Sequence, residues 1–183
     1  MLTWRPWDLV GEISSNSYID RYLQFIKLIN ELHFAENVNV ILHPKAREIL
    51  TEQFPDVLKS IEEYLYEGDI KEALMKSKVL ITDYSSICFY AYAGGSKVIF
   101  FWGDKEESEK QYGAKNILQE ENAFGDIIYD IDNKLLKTIK DNFYNNYENK
   151  QYRKNFNKLV EKTDGNNTCL LYTSPSPRDL STS

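Results

Sequence analysis

The segment from Lys78 to Tyr90, KVLITDYSSICFY, carries the residues best suited to chemistry. Its apolar start predicts a buried strand that ends at Asp83, and a helix is predicted to begin at Ser85 and Ser86. A helix N-terminus presents unpaired backbone N–H groups and the positive end of the helix dipole, so it suits an anion. The two hydroxyls predict a phosphate-bearing ligand at residues 83–86. The alternative is that Asp and Ser only cap the helix, as they do in many proteins.

A second candidate is His43, which stands before Pro44 at the end of the apolar segment 38–42. An imidazole near neutral pH can donate a hydrogen bond to a phosphate or carry a positive charge beside it. The alternative is a histidine that only satisfies the backbone of a loop.

Strands and helices must position these residues, and their predicted order alternates along the chain. The predicted strands cover residues 38–42, 79–82, 97–102 and 126–130, and the predicted helices cover residues 18–32, 45–53, 70–76, 86–93, 134–142 and 150–162. Residues 61–66 fit either a strand or a helix, and the charged run 104–110 fits a solvated loop or helix. This alternation predicts an α/β fold: a doubly wound, Rossmann-like domain with a mainly parallel sheet, in which residues 79–82 form a central strand.

Parallel strands with right-handed crossovers bring the loops after residues 42, 82 and 101 to one edge of the sheet. His43, Asp83, Ser85 and Ser86 are therefore expected to share that edge. Ligands of open α/β sheets bind outside the carboxyl ends of the strands. Because these four residues are expected to cluster, the sequence favours a ligand-binding site at this edge over an isolated helix cap.

Composition narrows the class of protein. A length of 183 residues predicts one domain, and a net charge of −6 argues against a nucleic-acid partner. The two cysteines, Cys88 and Cys169, have no metal-ligand spacing and indicate a reducing compartment. No apolar run reaches membrane-spanning length, and we expect neither a bound metal nor a cofactor.

Six short motifs carry a resemblance to a known family. They are TWRP at 3–6, ILHP at 41–44, EGDI at 67–70, LITDYSS at 80–86, VIFF at 98–101 and TDGNNT at 163–168. In this order they resemble the C-terminal half of the CDP-glycerol glycerophosphotransferases, teichoic-acid polymerases with a two-domain GT-B fold. The sequence departs from the family pattern at Tyr90, where the family usually has Asp, and at Lys97, where it often has Pro.

The resemblance implies a donor-binding domain for CDP-glycerol. Glycerol phosphate would move onto a hydroxyl of a growing, lipid-linked polymer, and CMP would leave. By resemblance, His43 is the catalytic candidate, because it would contact the donor pyrophosphate and stabilise the leaving CMP. The family's general base is expected in the N-terminal half, which we expect this chain to lack.

The same resemblance assigns the remaining substrate-binding candidates. Ser85 and Ser86 would hold a phosphate, Arg5 would supply a second cation, and Pro44 would lie beside the donor with its histidine. Asp83 is expected to order the turn by accepting backbone N–H bonds, with a ligand contact as the alternative.

Other functions remain open at this stage. One is a related GT-B transferase that uses CDP-ribitol or a nucleotide sugar for a wall or capsule polymer. Another is a non-catalytic nucleotide-binding module, and a GT-B site between two domains predicts no turnover by this fragment alone. We expect a cytoplasmic location at the inner face of the membrane, with peripheral contact through basic residues between 137 and 158.

The end of the chain differs in character from the rest. Residues 169–183 are rich in Ser, Thr and Pro without periodicity, so the predicted domain covers residues 1–168. We expect the last fifteen residues to be a non-native or disordered tail.

Overall fold

The computed structural model describes residues 18–29 and 38–160. Within these ranges the chain forms three β-strands, eight α-helices and one short 3₁₀-helix, Glu62–Tyr64. The strands are β1 (Val79–Thr82), β2 (Lys97–Phe101) and β3 (Asp126–Ile128). The helices are α1 (Tyr18–Ile29), α2 (Pro44–Gln53), α3 (Pro55–Ser60), α4 (Ile70–Lys76), α5 (Ile87–Ala93), α6 (Lys105–Tyr112), α7 (Asn133–Tyr144) and α8 (Lys150–Leu159).

The three described strands form one parallel sheet in the order β1-β2-β3. Val79 pairs with Lys97 at the start of the sheet, and Phe101 pairs with Ile128 near its carboxyl edge. The parallel sheet is confirmed, but β2 is its central strand among the described residues. Residues 79–82 were expected in that place and instead lie at an edge.

Helices cover both faces of this sheet. Alternate side chains of β2 point to opposite faces, because successive residues of a strand do so. Ile99 and Phe101 pack with residues of α1, α2 and α7, whereas Val98 and Phe100 pack with residues of α4, α5 and α8. The α/β, doubly wound, Rossmann-like fold predicted from the sequence is therefore confirmed.

Polar caps fix where several helices begin. Asp69 accepts hydrogen bonds from two backbone N–H groups of α4, and Asp132 and Asn149 do the same at α7 and α8. Helix α5 ends at Ala93 with Gly94 as its C-cap residue, and Gly95 follows with φ of 98°, a backbone conformation that glycine adopts without strain. The predicted end of α5 at residue 93 is confirmed.

Two segments differ from the sequence prediction. Residues 38–42 contribute only one parallel bridge, between Val40 and Leu65, instead of a full strand. The backbone of Val40 bonds to the carbonyl of Tyr64 and to the N–H of Tyr66, so this pair stands outside the three-stranded sheet. The ambiguous segment 61–66 combines the 3₁₀-helix with this bridge.

Some predictions fall outside the described residues. They include Arg5, the motifs at 3–6 and 163–168, and the tail from residue 169 onward. Among the described residues, no helix is long and apolar enough to cross a bilayer. The same residues include no cluster of three His, Cys, Asp or Glu side chains arranged to hold a metal ion.

Candidate active site

Asp83 follows β1 directly and is almost fully buried, with 1% of its surface exposed. Its Oδ1 accepts a hydrogen bond of 2.7 Å from the backbone N–H of Tyr84. Its carbonyl accepts one of 3.4 Å from the indole N–H of Trp102, which follows β2. The carboxylate thus bonds to the backbone of the turn, as expected from the sequence, and the turn is attached to the neighbouring strand end.

The two serines occupy the junction between β1 and α5. Helix α5 begins at Ile87, one residue later than predicted, and Ser86 is its N-cap residue. The Ser86 side chain is exposed and makes no capping hydrogen bond. Ser85 Oγ lies 3.5 Å from the Ile87 backbone nitrogen, a long and weak contact. The Ser86 hydroxyl therefore does not cap the helix by a hydrogen bond. The alternative in which both serines act only as helix caps has no such bond at Ser86 to support it.

His43 is the N-cap residue of α2, and Pro44 is the first residue of that helix. The imidazole Nδ1 accepts a hydrogen bond of 3.2 Å from the backbone N–H of Lys45. A nitrogen that accepts carries no proton, so in the neutral ring the proton lies on Nε2. The cap thus places the proton of the neutral ring on Nε2.

The strand that was expected to place His43 beside Asp83 is not present in the sheet. That placement required residues 38–42 to be a strand of the same parallel sheet, and the Val40 bridge to Leu65 lies outside that sheet. Val40 nevertheless packs in the same apolar cluster as Ile99 of β2. The segment that leads to His43 and the parallel sheet therefore share one apolar core. That His43 and Asp83 contact the same ligand stays a prediction.

A polar network at the carboxyl edge was missed by the sequence analysis. The Tyr84 hydroxyl donates a hydrogen bond of 3.1 Å to Asp104 Oδ1, and Arg21 Nη1 lies 2.7 Å from Asp104 Oδ2. The side chains of Asp104 and Arg21 are only 9% and 15% exposed. Residues 104–110 were expected to be solvated, and that prediction is wrong for Asp104, which joins α1 to the turn after β1.

Lys105 extends the network to the end of β3. Its Nζ lies within 3.0 Å of both carboxylate oxygens of Glu120 and 5.0 Å from the ring centre of Trp102. The hydrogen bond from Lys105 lowers the pKa of the Glu120 carboxyl. Tyr129, just after β3, donates its hydroxyl to Glu120 at 3.1 Å, and burial followed by this contact raises the pKa of Tyr129. All three strand ends are therefore connected by polar contacts.

Gly103 allows the close approach on which this edge depends. A Cβ atom there would lie 2.5 Å from the Tyr129 carbonyl oxygen and 2.8 Å from the Phe101 ring. Any side chain at this position would push apart the ends of β2 and β3. The turn that carries Trp102 and Asp104 can therefore reach β3 only with glycine between them.

Thr82, the last residue of β1, contains an unusual buried hydroxyl. The residue is completely buried, and its Oγ1 has no hydrogen-bond partner among the described residues. Leaving a buried hydroxyl unpaired costs about 1–3 kcal/mol. This polar atom belongs to the residue immediately before Asp83.

Comparison with protein families identifies the chain. Residues 1–173 match the model of the family described as CDP-Glycerol:Poly(glycerophosphate) glycerophosphotransferase. The chain belongs to this family. No curated protein and no solved structure gives a significant match.

Membership of the glycerophosphotransferase family places the chain among transferases of that type. The match includes the Leu80–Ser86 motif, which the structure shows at the carboxyl end of β1. The roles of His43, Pro44, Asp83, Ser85 and Ser86 toward a ligand stay predictions, as does that of Arg5 outside the described residues.

Proposed function

We propose that this chain binds CDP-glycerol at the carboxyl edge of its sheet and takes part in glycerol-phosphate transfer to a growing teichoic-acid-like polymer. The observation that carries this proposal is the family match over residues 1–173. The structure supports it through the site after β1, where the Ser86 hydroxyl is exposed and not used as a cap.

The reaction breaks one phosphoester bond and forms another. An acceptor hydroxyl oxygen attacks the phosphorus that carries glycerol, and the bond from that phosphorus to the CMP oxygen breaks. Negative charge builds on the phosphoryl oxygens and on the departing CMP. Positioned hydrogen-bond donors and cations therefore supply most of the catalysis. The hydroxyl proton goes to a base that we expect in the family's N-terminal domain.

His43 serves as the donor to the pyrophosphate. Its Nδ1 accepts the backbone N–H of Lys45, so the neutral ring carries its proton on Nε2, the atom that this proposal assigns to the pyrophosphate. A neutral imidazole donates one hydrogen bond, and protonation would add charge at the cost of the Nδ1 cap. Pro44 holds the backbone after the histidine in the helical conformation, because its ring fixes φ.

The serine turn holds the donor phosphate nearest to β1. Ser85 and Ser86 contribute hydroxyls, and Asp83 keeps the turn in shape through its bond to the Tyr84 N–H. Arg5 provides a further cation in this proposal.

The polymer acceptor is lipid-linked, so the protein works at the inner membrane face, where basic side chains of α7 and α8 contact anionic lipid.

Ligand selectivity tests this proposal. Calorimetric titration of the 183-residue chain with CDP-glycerol, CDP, CMP and UDP should show binding of the cytidine ligands and weaker binding of UDP. A preference for UDP would replace the proposal with a nucleotide-sugar transferase. Because we place the catalytic base in a second domain, we expect binding without turnover, and turnover of CDP-glycerol by this chain alone would overturn that part.

A further inference from the structure

A cavity lies at the edge of the sheet opposite to the turn at residues 83–86. It has a volume of about 480 Å³, within the range of small-molecule sites. Lys97 and Asp126, the first residues of β2 and β3, line it together with the connection 145–149 between α7 and α8. Parallel strands begin at one edge and end at the other, so this cavity is separate from the turn at residues 83–86.

The wall of the cavity at β3 is held in a fixed arrangement. Asp126 Oδ1 accepts a hydrogen bond of 2.8 Å from the Tyr152 hydroxyl, and Oδ2 accepts one of 2.6 Å from Asn142 Nδ2. Burial, followed by the bond to Asp126, raises the pKa of Tyr152, so its hydroxyl keeps its proton. These contacts join α7 and α8 to β3 and pre-organise the cavity.

The cations that line the cavity already have partners. Arg153 pairs with Glu148, and its guanidinium lies 5.5 Å from the ring centre of Tyr92. Lys97 Nζ bonds to the carbonyl oxygen of Asn145. The lining contains the carboxylates of Asp126, Asp141 and Glu148 against these two cations. An anionic ligand is therefore disfavoured here, because it would meet an excess of negative charge.

Three lining residues offer unused groups to a ligand. Asp141 is exposed and has no ion-pair partner among the described residues, and Asn146 presents an exposed amide. Tyr147 is 73% exposed, so its ring presents a broad apolar face. A carboxylate accepts hydrogen bonds, an amide both donates and accepts, and an aromatic face packs against C–H groups. Hydroxyl-rich carbon chains and rings match all three.

We propose that this cavity binds an uncharged, hydroxyl-rich ligand, a polyol chain or a sugar ring. Its hydroxyls donate to Asp141 and exchange hydrogen bonds with Asn146, and its C–H face packs on Tyr147. The site is independent of the proposed donor site at the carboxyl edge and does not require CDP-glycerol to bind.

Chemical-shift mapping on the ¹⁵N-labelled 183-residue chain tests this site. The probes are sorbitol as an acyclic polyol, methyl α-glucopyranoside as a sugar ring, and inorganic phosphate as an anion. We expect saturable shifts at residues 145–149 and 95–97 with at least one of the two neutral probes, and none there with phosphate. The neutral probe that saturates at lower concentration identifies the ligand class.

Variants separate the site from the general surface. Tyr147→Ala should weaken binding of the neutral probe about fivefold, since it removes the aromatic face, and Asp141→Asn should weaken it to a smaller extent. Tyr90→Ala is the matched control, because Tyr90 is 72% exposed and lies outside the cavity. It should leave the affinity unchanged.

Several results would overturn the proposal. They are shifts that do not saturate, shifts spread over the surface, phosphate binding at residues 145–149, or equal weakening by Tyr147→Ala and Tyr90→Ala. None of these results bears on the titration with cytidine ligands, so the two sites are judged separately.

Discussion

The Tyr84 hydroxyl donates a hydrogen bond of 3.1 Å to Asp104 Oδ1, and this contact joins the turn after β1 to the turn after β2. The ring of Tyr84 also stacks on Trp102, with 6.5 Å between ring centres and 17° between planes. Asp104 is in turn paired with Arg21 of α1. Contacts with residues that follow β2 and with α1 thus stabilise the turn that carries Ser85 and Ser86.

We expect Tyr84→Phe to lower the free energy of unfolding by about 1.5 kcal/mol, because it removes a hydrogen bond to a carboxylate. Urea unfolding measures this value. In a double-mutant cycle with Asp104→Ala, which removes the acceptor, the two changes should be non-additive by about 1 kcal/mol. Tyr90→Phe, at an exposed position, should change stability by less than about 0.5 kcal/mol. Additive effects of the first two substitutions would show that the contact does not stabilise the fold.

Two substitutions of His43 separate its cap from its imidazole. His43→Ala should lower the free energy of unfolding by about 1 kcal/mol, because the Lys45 N–H loses its acceptor. Asn is a good N-cap residue, so His43→Asn should be close to the wild type. Urea unfolding of both variants provides the comparison. Equal loss in both would mean that the histidine stabilises the fold through contacts other than the cap.

Thr82→Val should raise the free energy of unfolding by about 1 kcal/mol, since it replaces an unpaired buried hydroxyl with a methyl group of similar size. Thr138→Val is the control, because Thr138 Oγ1 already donates to the Lys134 carbonyl at 2.9 Å on an exposed helix surface. That variant should show no gain. A loss of stability in Thr82→Val would reveal a partner for the hydroxyl that the described residues do not include.

Cys88 should be unreactive in the folded chain. It is fully buried, and burial raises the pKa of its thiol from 9.0 to about 12, so little reactive thiolate forms at pH 9. In a Cys169→Ser variant, iodoacetamide should modify Cys88 much more slowly without urea than in it. Equal rates would contradict the burial.

The same thiol makes stability depend on pH. A folded pKa above the unfolded one means that the folded chain holds the proton more tightly. This contribution is complete below pH 9 and is lost as the pH rises toward 12. Urea unfolding measures the free energy of unfolding of Cys169→Ser, and of Cys88→Ala in the same background, as the pH rises from 9 to 12. The protein that keeps Cys88 should lose more stability over this range than the protein without the thiol. Identical pH profiles in the two proteins would contradict the shift.

The sequence predicted the sheet well because its buried strands are short apolar runs bounded by polar residues. β2, for example, was predicted from Lys97–Trp102 and is present as Lys97–Phe101. Residues 38–42 have a similar pattern but form only one bridge, since the partner of Val40 is Leu65 and not a sheet strand. Periodicity reports that a segment is extended and apolar, whereas strand pairing depends on distant residues.

The candidate site was predicted only in part, for a related reason. Asp83 and Ser86 stand in a local motif, so their places at the strand end and helix start could be read from the sequence. Asp104 lies in a charged run that looks solvated, and only the fold brings Arg21 and Tyr84 to its carboxylate. A network built from three separate elements leaves no spacing pattern in the chain.

The most direct measurement is calorimetric titration of CDP-glycerol into the wild-type chain, Ser86→Ala and His43→Asn. Neither substitution should unfold the protein, because Ser86 makes no cap hydrogen bond and Asn preserves the cap of α2. The donor-site proposal predicts that each variant binds CDP-glycerol about tenfold more weakly, the effect of losing one hydrogen bond to a charged phosphate. Unchanged affinity in both folded variants would contradict the proposal that these residues hold the donor.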